Sequence, residues 1–315
     1  MLTVHGLGEY PPGAGSALAL GTFDGLHLGH RHVIGTAVAR AAEIGCRSVV
    51  VTFDPHPLEV LRPSAEPVLL TTPDERLALL SDLGVDIALV LPFDLAFSRT
   101  TAQEWLDAIL ARRLAARAVF VGASYTFGHR REGTAARLAE WGRSHGVEVH
   151  LLPAVLVNAE PVSSSRVRGA LREGLVDEAA RLLGRGYTLG GQVVRGEGRG
   201  RSLGYPTANL QVSSSRKIVP ARGVYATIAE VGTRRYWGAT NIGVRPTFGG
   251  TALSIETHLL ENTGDHLGES MTLTFVRRIR EERKFSGAEA LARQISTDIA
   301  QVRELLAAAG PSIIR

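Results

Sequence analysis

At 315 residues, 44% of them hydrophobic and 21% charged, the chain is long enough for two separately cored domains and too apolar for a disordered one. Cys46 stands alone, which excludes a disulfide framework and a cysteine-built metal site and suits a reducing compartment. The formal charge is +4, but the arginines that carry it are dispersed rather than blocked, so no nucleic-acid partner is expected.

No apolar run approaches the roughly 18 residues that a membrane helix needs. The first residues include Glu9 and no basic n-region. The expectation is a cytoplasmic chain with no membrane partner. The oligomeric state stays unknown at this level.

Ala17–Leu20 is a short apolar run of the kind that forms a buried strand. Val33, Ile34, Ala37, Val38 and Ala41 follow at helical spacing, and Gly45 suits a C-cap. Between them lies GTFDGLHLGH, residues 21–30. A strand, a glycine turn and a helix N-terminus together attract anions, because unpaired N–H groups and the helix dipole converge on the turn. His27 and His30, three residues apart, share one face of the helix start, where two donors would stabilise a phosphoryl group in transfer. The competing reading is that they only cap and pack.

Arg47–Phe53 is a β-branched strand, closed by Asp54-Pro55-His56-Pro57, whose prolines disfavour a helix. Thr72 and Glu75 form a capping box with Pro73 at N1, opening a helix that runs to Leu83. Residues 86–92 read as a strand, and Thr101 with Glu104 opens a helix carrying Trp105, Leu106, Ile109 and Leu110. Ala118–Gly122 is a strand, SYTFGHRREG a loop, Ala135–His145 a helix and Val147–Leu152 a strand. This alternation predicts a Rossmann-like, doubly wound parallel sheet. Ligands of such sheets bind at the carboxyl ends of the strands. The histidine turn, Asp54–Pro57 and the loop after Gly122 all fall there.

Val162-Ser163-Ser164-Ser165-Arg166-Val167-Arg168 precedes a short amphipathic helix. The serines read either as N-caps or, with the arginines, as a polyphosphate clamp. After a last helix, Asp177–Leu183, the Gly184-Arg185-Gly186 stretch marks the expected boundary between domains 1–184 and 185–315. Beyond it Tyr187–Val194, Gly223–Val231, Arg235–Ile242, Ala252–Leu260 and Met271–Arg277 alternate without intervening helices. They predict an antiparallel β-barrel or sandwich. One amphipathic helix, Ala288–Ala307, ends the chain with Leu291, Ile295, Ile299, Val302 and Leu306 on one face.

Within this half, Gly196-Glu197-Gly198-Arg199-Gly200-Arg201 is a glycine–arginine loop. Thr207 and Asn209 offer the neutral oxygens that Mg²⁺ accepts when phosphates supply the charge. A proline turn whose hydroxyl and amide satisfy the backbone is the competing reading. Glu256 lies in a strand where alternation alone would make it a solvated residue.

These stretches carry a resemblance. GTFDGLHLGH resembles the HxGH nucleotidyltransferase motif and SSSRVR its SSTxIR companion. FDPHP and VGASYTFGHRREG resemble the FMN adenylyltransferase half of the bacterial bifunctional riboflavin kinase/FMN adenylyltransferases, often called FAD synthetases. GQVVRGEGRGRSLGYPTANL, NIGVRPTF, SIETHLL and RIREERKF resemble that family's riboflavin kinase module, in its normal order.

The resemblance implies an N-terminal adenylyltransferase and a C-terminal barrel kinase, acting on riboflavin, FMN and ATP with Mg²⁺. It implies that His27 and His30 face the ATP phosphates and that Arg168 with Ser163, Ser164 and Ser165 holds the leaving pyrophosphate. Gly21, Phe23, Asp24, Gly29 and Ser124 would complete that ATP site; Asp54, His56, Pro57 and Phe127 would meet the flavin. In the kinase it implies ATP contacts at Gly191, Gly196, Gly198, Gly200 and Arg201, metal ligation by Thr207 and Asn209, and Glu256 as general base. Arg280 would touch flavin or phosphate.

Three positions depart from the family pattern. Ser165 replaces Thr, Ser124 replaces Asp or Asn, and Leu267 replaces Tyr in the DxYG turn. Two other readings remain open here: adenylylation of a different phosphorylated metabolite, and an N-terminal half that binds flavin nucleotides without turning them over.

Overall fold

The structure, a computed structural model, describes residues 1–13, 15–63, 69–196, 198–247, 250–262 and 264–309. Glu197 of the glycine–arginine loop and Phe248 of NIGVRPTF lie outside the described residues, as does the side chain of Leu306. The chain forms two compact units, Met1–Ser164 and Ser165–Arg315.

The first unit contains β1 (Leu2–His5), β2 (Ser16–Leu20), α1 (Leu28–Glu43), β3 (Arg47–Asp54), α2 (Pro57–Leu61), α3 (Pro73–Asp82) and β4 (Ile87–Pro92). A short α4 (Ala102–Glu104) continues as a π-helix over Trp105–Arg113, followed by β5 (Ala116–Gly122). The small hairpin β6 (Thr126–Phe127) and β7 (Gly133–Thr134) precedes α5 (Ala135–His145) and β8 (Glu148–Leu152). A second hairpin, β9 (Leu156–Val157) and β10 (Glu160–Pro161), completes the unit.

Six strands make one parallel sheet in the order β1-β4-β3-β2-β5-β8. The chain winds outward from β2 to β3 and β4 on one side, then from β2 to β5 and β8 on the other. The strand order therefore reverses at the β2–β5 pair, where open α/β sheets have their ligand crevice.

Alternation sends Leu18, Leu20, Val49, Val51, Leu89 and Val119 to one face, against Trp105, Leu106 and Leu110 of the π-helix and Leu138 and Trp141 of α5. The other face presents Ala17, Ala19, Val50, Ala88, Ala118 and Phe120 to Val33, Ile34, Ala37 and Ala41 of α1.

The second unit opens with α6 (Ser164–Glu173) and α7 (Val176–Leu183), and α7 packs on barrel strands. By packing, the break thus precedes these helices, whereas the change in sequence period comes after them at Gly184. The strands are β11 (Tyr187–Val194), β12 (Ala208–Val212), β13 (Gly223–Val231), β14 (Arg234–Thr247), β15 (Gly250–Leu259) and β16 (Ser270–Arg280), with a one-turn α8 (Arg199–Ser202) between β11 and β12. They close into an antiparallel barrel, β11-β12-β15-β14-β13-β16. The terminal helix α9 (Ala288–Ala309) lays Ile295, Ile299 and Val302 against Ala226, Ile228, Trp237 and Leu260. Inside, the hydroxyls of Thr227, Thr240 and Thr257 pair across three strands at 2.8 and 2.9 Å.

Candidate active sites

In the first unit the turn after β2 is tight. Phe23 and Leu26 adopt left-handed φ values of 49° and 38° around Gly25 at 83°. Left-handed backbone is costly for residues that carry a Cβ, so the turn is held from outside. Asp24, fully buried, does much of the holding. Its carboxylate accepts the Leu70 and Thr71 amides at 3.0 Å and the Thr71 hydroxyl at 3.1 Å, while Thr71 Oγ1 accepts the Gly25 N–H at 3.0 Å. The structure thus gives Asp24 a structural task.

Arg76 on α3 completes the frame. Its buried guanidinium donates to the carbonyls of Thr22 (3.1 Å) and Phe53 (3.0 Å), tying the ends of β2 and β3. Burial lowers its pKa, and the charges of Asp24, Asp54 and Glu59 oppose that shift.

His27 is the N-cap of α1; its Nδ1 accepts the His30 amide at 3.3 Å. With Nδ1 accepting, the neutral ring carries its proton on Nε2. The His27 and His30 rings stack at 3.6 Å and 19°, and Phe23 meets His30 edge-on at 5.2 Å. A Cβ on Gly29 would come within 3.2 Å of the His27 ring, and one on Gly21 within 3.1 Å of Phe23. Ser164 Oγ donates to the Asp24 carbonyl at 3.0 Å, joining the serine motif to the histidine turn. Ser163 is exposed at the same junction, whereas Ser165 and the buried Arg168 are counted by packing with the second unit.

Of the residues expected at the flavin, Asp54 ends β3, and its peptide bond to Pro55 is cis. His56 caps α2, accepting the Leu58 amide at 3.1 Å, with Pro57 at N1. Phe127 is buried against Gly133 and stacks with Tyr125 at 5.6 Å, so it packs the β6–β7 hairpin. Ser124 is exposed in the turn after β5. An aromatic group that the sequence reading passed over lies at the ends of β3 and β4. Phe53 has ring centroids 5.7 Å from Phe93 and 5.9 Å from Phe97, and Phe97 meets Trp105 edge-on. The signal available was a phenylalanine at the end of each neighbouring strand run.

In the barrel, β12 and β15 pair with Asn209 opposite Glu256. Thr207 Oγ1 donates to Glu256 Oε2 at 3.3 Å and Ser254 Oγ to Oε1 at 3.0 Å, so the carboxylate is fixed from both sides. A Cβ on Gly196 would overlap the Asn209 carboxamide, and one on Gly200 would overlap the Tyr205 carbonyl. Only glycines let this loop lie so close to the two oxygen-bearing side chains. A cavity of about 430 Å³ opens beside them, lined by Gly196, Gly198, Arg201, Thr207, Asn209 and the 264–267 loop.

Two expected kinase residues, Gly191 and Arg280, are not among those lining this cavity. Gly191 is mid-strand in β11, where a Cβ would overlap the Gln211 carbonyl; its smallness serves strand packing. Arg280 is bonded to Asp298 on α9 at 2.9 and 2.7 Å, which pins the helix to the barrel. Among the described residues no group of three His, Cys, Asp or Glu is placed to hold a metal. Thr207 and Asn209 nonetheless fit Mg²⁺, which takes few protein ligands when phosphates share its shell.

The comparisons with known proteins run in the same order as the motifs. The FAD synthetase family model matches residues 12–166 and the riboflavin kinase model residues 183–306. A bifunctional riboflavin kinase/FMN adenylyltransferase of Pseudomonas fluorescens is 36% identical over 98% of both chains. The chain belongs to the bifunctional riboflavin kinase/FMN adenylyltransferase family. The Bacillus subtilis member is 38% identical over 90% of both chains. Like them, the chain is a transferase with the adenylyltransferase module first and the kinase module second. A solved structure titled a macrolide-efflux protein, from Streptococcus pneumoniae, matches with a TM-score of 0.88 and 32% identity, covering 96% of this chain and 99% of that one. That title describes the pneumococcal protein; here no helix among the described residues is long and apolar enough to cross a membrane.

Proposed function

We propose that riboflavin is phosphorylated in the barrel and that the resulting FMN is adenylylated in the N-terminal module, in the cytoplasm, each step consuming one ATP. The observation that carries the kinase half is the grouping of Thr207, Asn209 and Glu256 beneath the glycine loop. Glu256 takes the proton of the ribityl hydroxyl as its oxygen attacks the γ-phosphorus, and ADP leaves. Thr207 and Asn209 would hold Mg²⁺, which supplies charge neutralisation on the phosphates. Gly196, Gly198, Gly200 and Arg201 wrap the phosphates, where backbone N–H groups are the donors.

In the N-terminal module the FMN phosphate is already anionic, so its attack on the α-phosphorus requires no protein base. His27 and His30 stabilise the developing charge, and Ser163, Ser164, Ser165 and Arg168 bind the departing pyrophosphate. Asp54, His56 and Pro57 shape the flavin end, with the division of labour at 1–184 and 185–315.

Separating the two activities tests this reading. His27→Ala removes a donor from the adenylyl transition state, so the full chain should accumulate FMN from riboflavin and ATP, with FAD formation down about 10²–10³-fold. Glu256→Gln keeps the shape without the proton acceptor. It should slow phosphorylation about 10²–10⁴-fold yet convert added FMN to FAD normally. Chromatography of the flavins reads both. FMN formation abolished by His27→Ala, or FAD formation from FMN abolished by Glu256→Gln, would overturn the two-site assignment.

A further inference from the structure

Asn262, Gly264, Asp265, His266 and Leu267, which lie between β15 and β16, form a wall of the barrel cavity that the glycine loop also lines. One side chain organises it. The imidazole of His266 is only 10% exposed and lies between two oxygens: Nδ1 is 3.0 Å from Glu269 Oε1, and Nε2 is 3.1 Å from Asn262 Oδ1.

The amide of Asn262 cannot be turned round to change this. Its Oδ1 accepts the Gly264 N–H at 3.1 Å and its NH₂ donates to the Gly264 carbonyl at 3.1 Å. A flipped amide would set donor against donor and acceptor against acceptor. Nε2 therefore faces a fixed acceptor, and Nδ1 faces a carboxylate, which also only accepts. Both contacts are hydrogen bonds only when both ring nitrogens carry protons.

We infer that His266 is a positioning residue for the kinase reaction, holding the cavity wall in its nucleotide-binding shape through two simultaneous donations that are available only in its imidazolium form. This rests on the reading of the cavity as the ATP site of the barrel.

The charged and titratable groups around the ring are few among the described residues. Glu269 contacts it directly, and Tyr236 of β14 lies with its ring 5.7 Å away. Asp265 immediately precedes His266 in the same turn, where its carboxylate accepts the Leu267 amide at 3.2 Å and meets Arg201 of α8 at 4.0 Å. Arg195 and Arg201 share the cavity with the ring. When the ring loses a proton, one of its two oxygen partners faces a lone pair. The wall is then released, and ATP must re-order it on binding.

The test is the KM for ATP of riboflavin phosphorylation by the full chain across a pH series, compared with His266→Gln. Glutamine can donate to only one of the two acceptors and does not titrate. The ratio of the variant's KM to that of the parent cancels the titration of ATP itself. It should be roughly three- to tenfold on the acid side and fall towards one on the alkaline side. The kcat at saturating ATP should change little, because the ring touches no reacting atom. Glu269→Gln, which leaves a neutral acceptor at Nδ1, should move the same fall to lower pH. A ratio of one throughout, or a raised ratio independent of pH, would overturn the inference. Thr207→Ala in the same series tests the cavity reading by itself through its Mg²⁺ requirement. If that requirement and the KM for ATP are both unchanged, the cavity is not the ATP site and the role of His266 falls with it. If either rises while the His266→Gln ratio stays flat, only the role of His266 is refuted.

Discussion

Removing the Asp24 carboxylate should unfold the N-terminal module more readily rather than simply weaken its hold on ATP. In Asp24→Ala the Leu70 N–H, the Thr71 N–H and the Thr71 hydroxyl all lose the acceptor that each holds at 3.0–3.1 Å. An orphaned buried donor costs about 1–3 kcal/mol, and the hydroxyl can rotate, so the two amides set a loss of about 2–6 kcal/mol. Asp24→Asn keeps one acceptor oxygen but turns an NH₂ towards a backbone N–H, for about 1–3 kcal/mol. Urea unfolding followed by tryptophan fluorescence reads this, since Trp105 and Trp141 lie in the same core while Trp237 reports the barrel. The early transition should move to lower urea in the order wild type, Asn, Ala, with FMN formation in the barrel unaffected. An Asp24→Ala chain with an unshifted transition and a raised KM for ATP would show that the carboxylate serves the nucleotide after all.

Three further outcomes are expected. Arg280→Met leaves the Asp298 carboxylate, 4% exposed, with Gln294 as its remaining side-chain donor among the described residues, and should destabilise the barrel by about 3–5 kcal/mol in thermal unfolding. An unchanged melting temperature with a raised KM for riboflavin would return Arg280 to a ligand-contacting role. Thr207→Ala should raise the Mg²⁺ concentration needed for half-maximal FMN formation while leaving adenylylation alone, and a superimposable magnesium titration would remove Thr207 from the metal site. Ser124→Asp, on an exposed turn, should fold normally and keep or increase FAD formation; a large loss measured by chromatography would mean that the adenylyl site is built around serine.

Much of the architecture was legible because it rests on local rules. The Thr72 and Thr101 capping boxes appear where Thr and Glu sit three apart, and Tyr187–Val194 and Gly223–Val231 occupy the spans that alternation gives. β1 escaped notice because four residues at a sheet edge bury only one side chain, and β12 because its five residues sit inside a motif with chemical interest of its own. The helix carrying Trp105, Leu106, Ile109 and Leu110 was evident, but its π geometry was not, since that apolar spacing suits an ordinary helix as well. The histidine motif was legible in kind. The task of Asp24 was not, because its partners lie 46 and 47 residues away. Arg76 sits in a capping-box helix where an arginine reads as surface, and only the converging ends of β2 and β3 give its charge a place inside.

The layer beneath α1 is paved largely with alanine: Ala17 and Ala19 of β2, Ala88 of β4 and Ala118 of β5. Such small side chains let a helix approach a sheet closely, and the depth at which α1 rests fixes where its first turn, with both imidazoles, stands above the strand ends. A single added methyl group under the middle of the helix, as in Ala19→Val, would have to be absorbed by close-packed neighbours or by lifting the helix. With His27 and His30 in the proposed role, the geometry of adenylyl transfer is therefore exposed to volume changes in these buried residues. Drift in the size of those four side chains would retune adenylyl transfer before it threatened the fold.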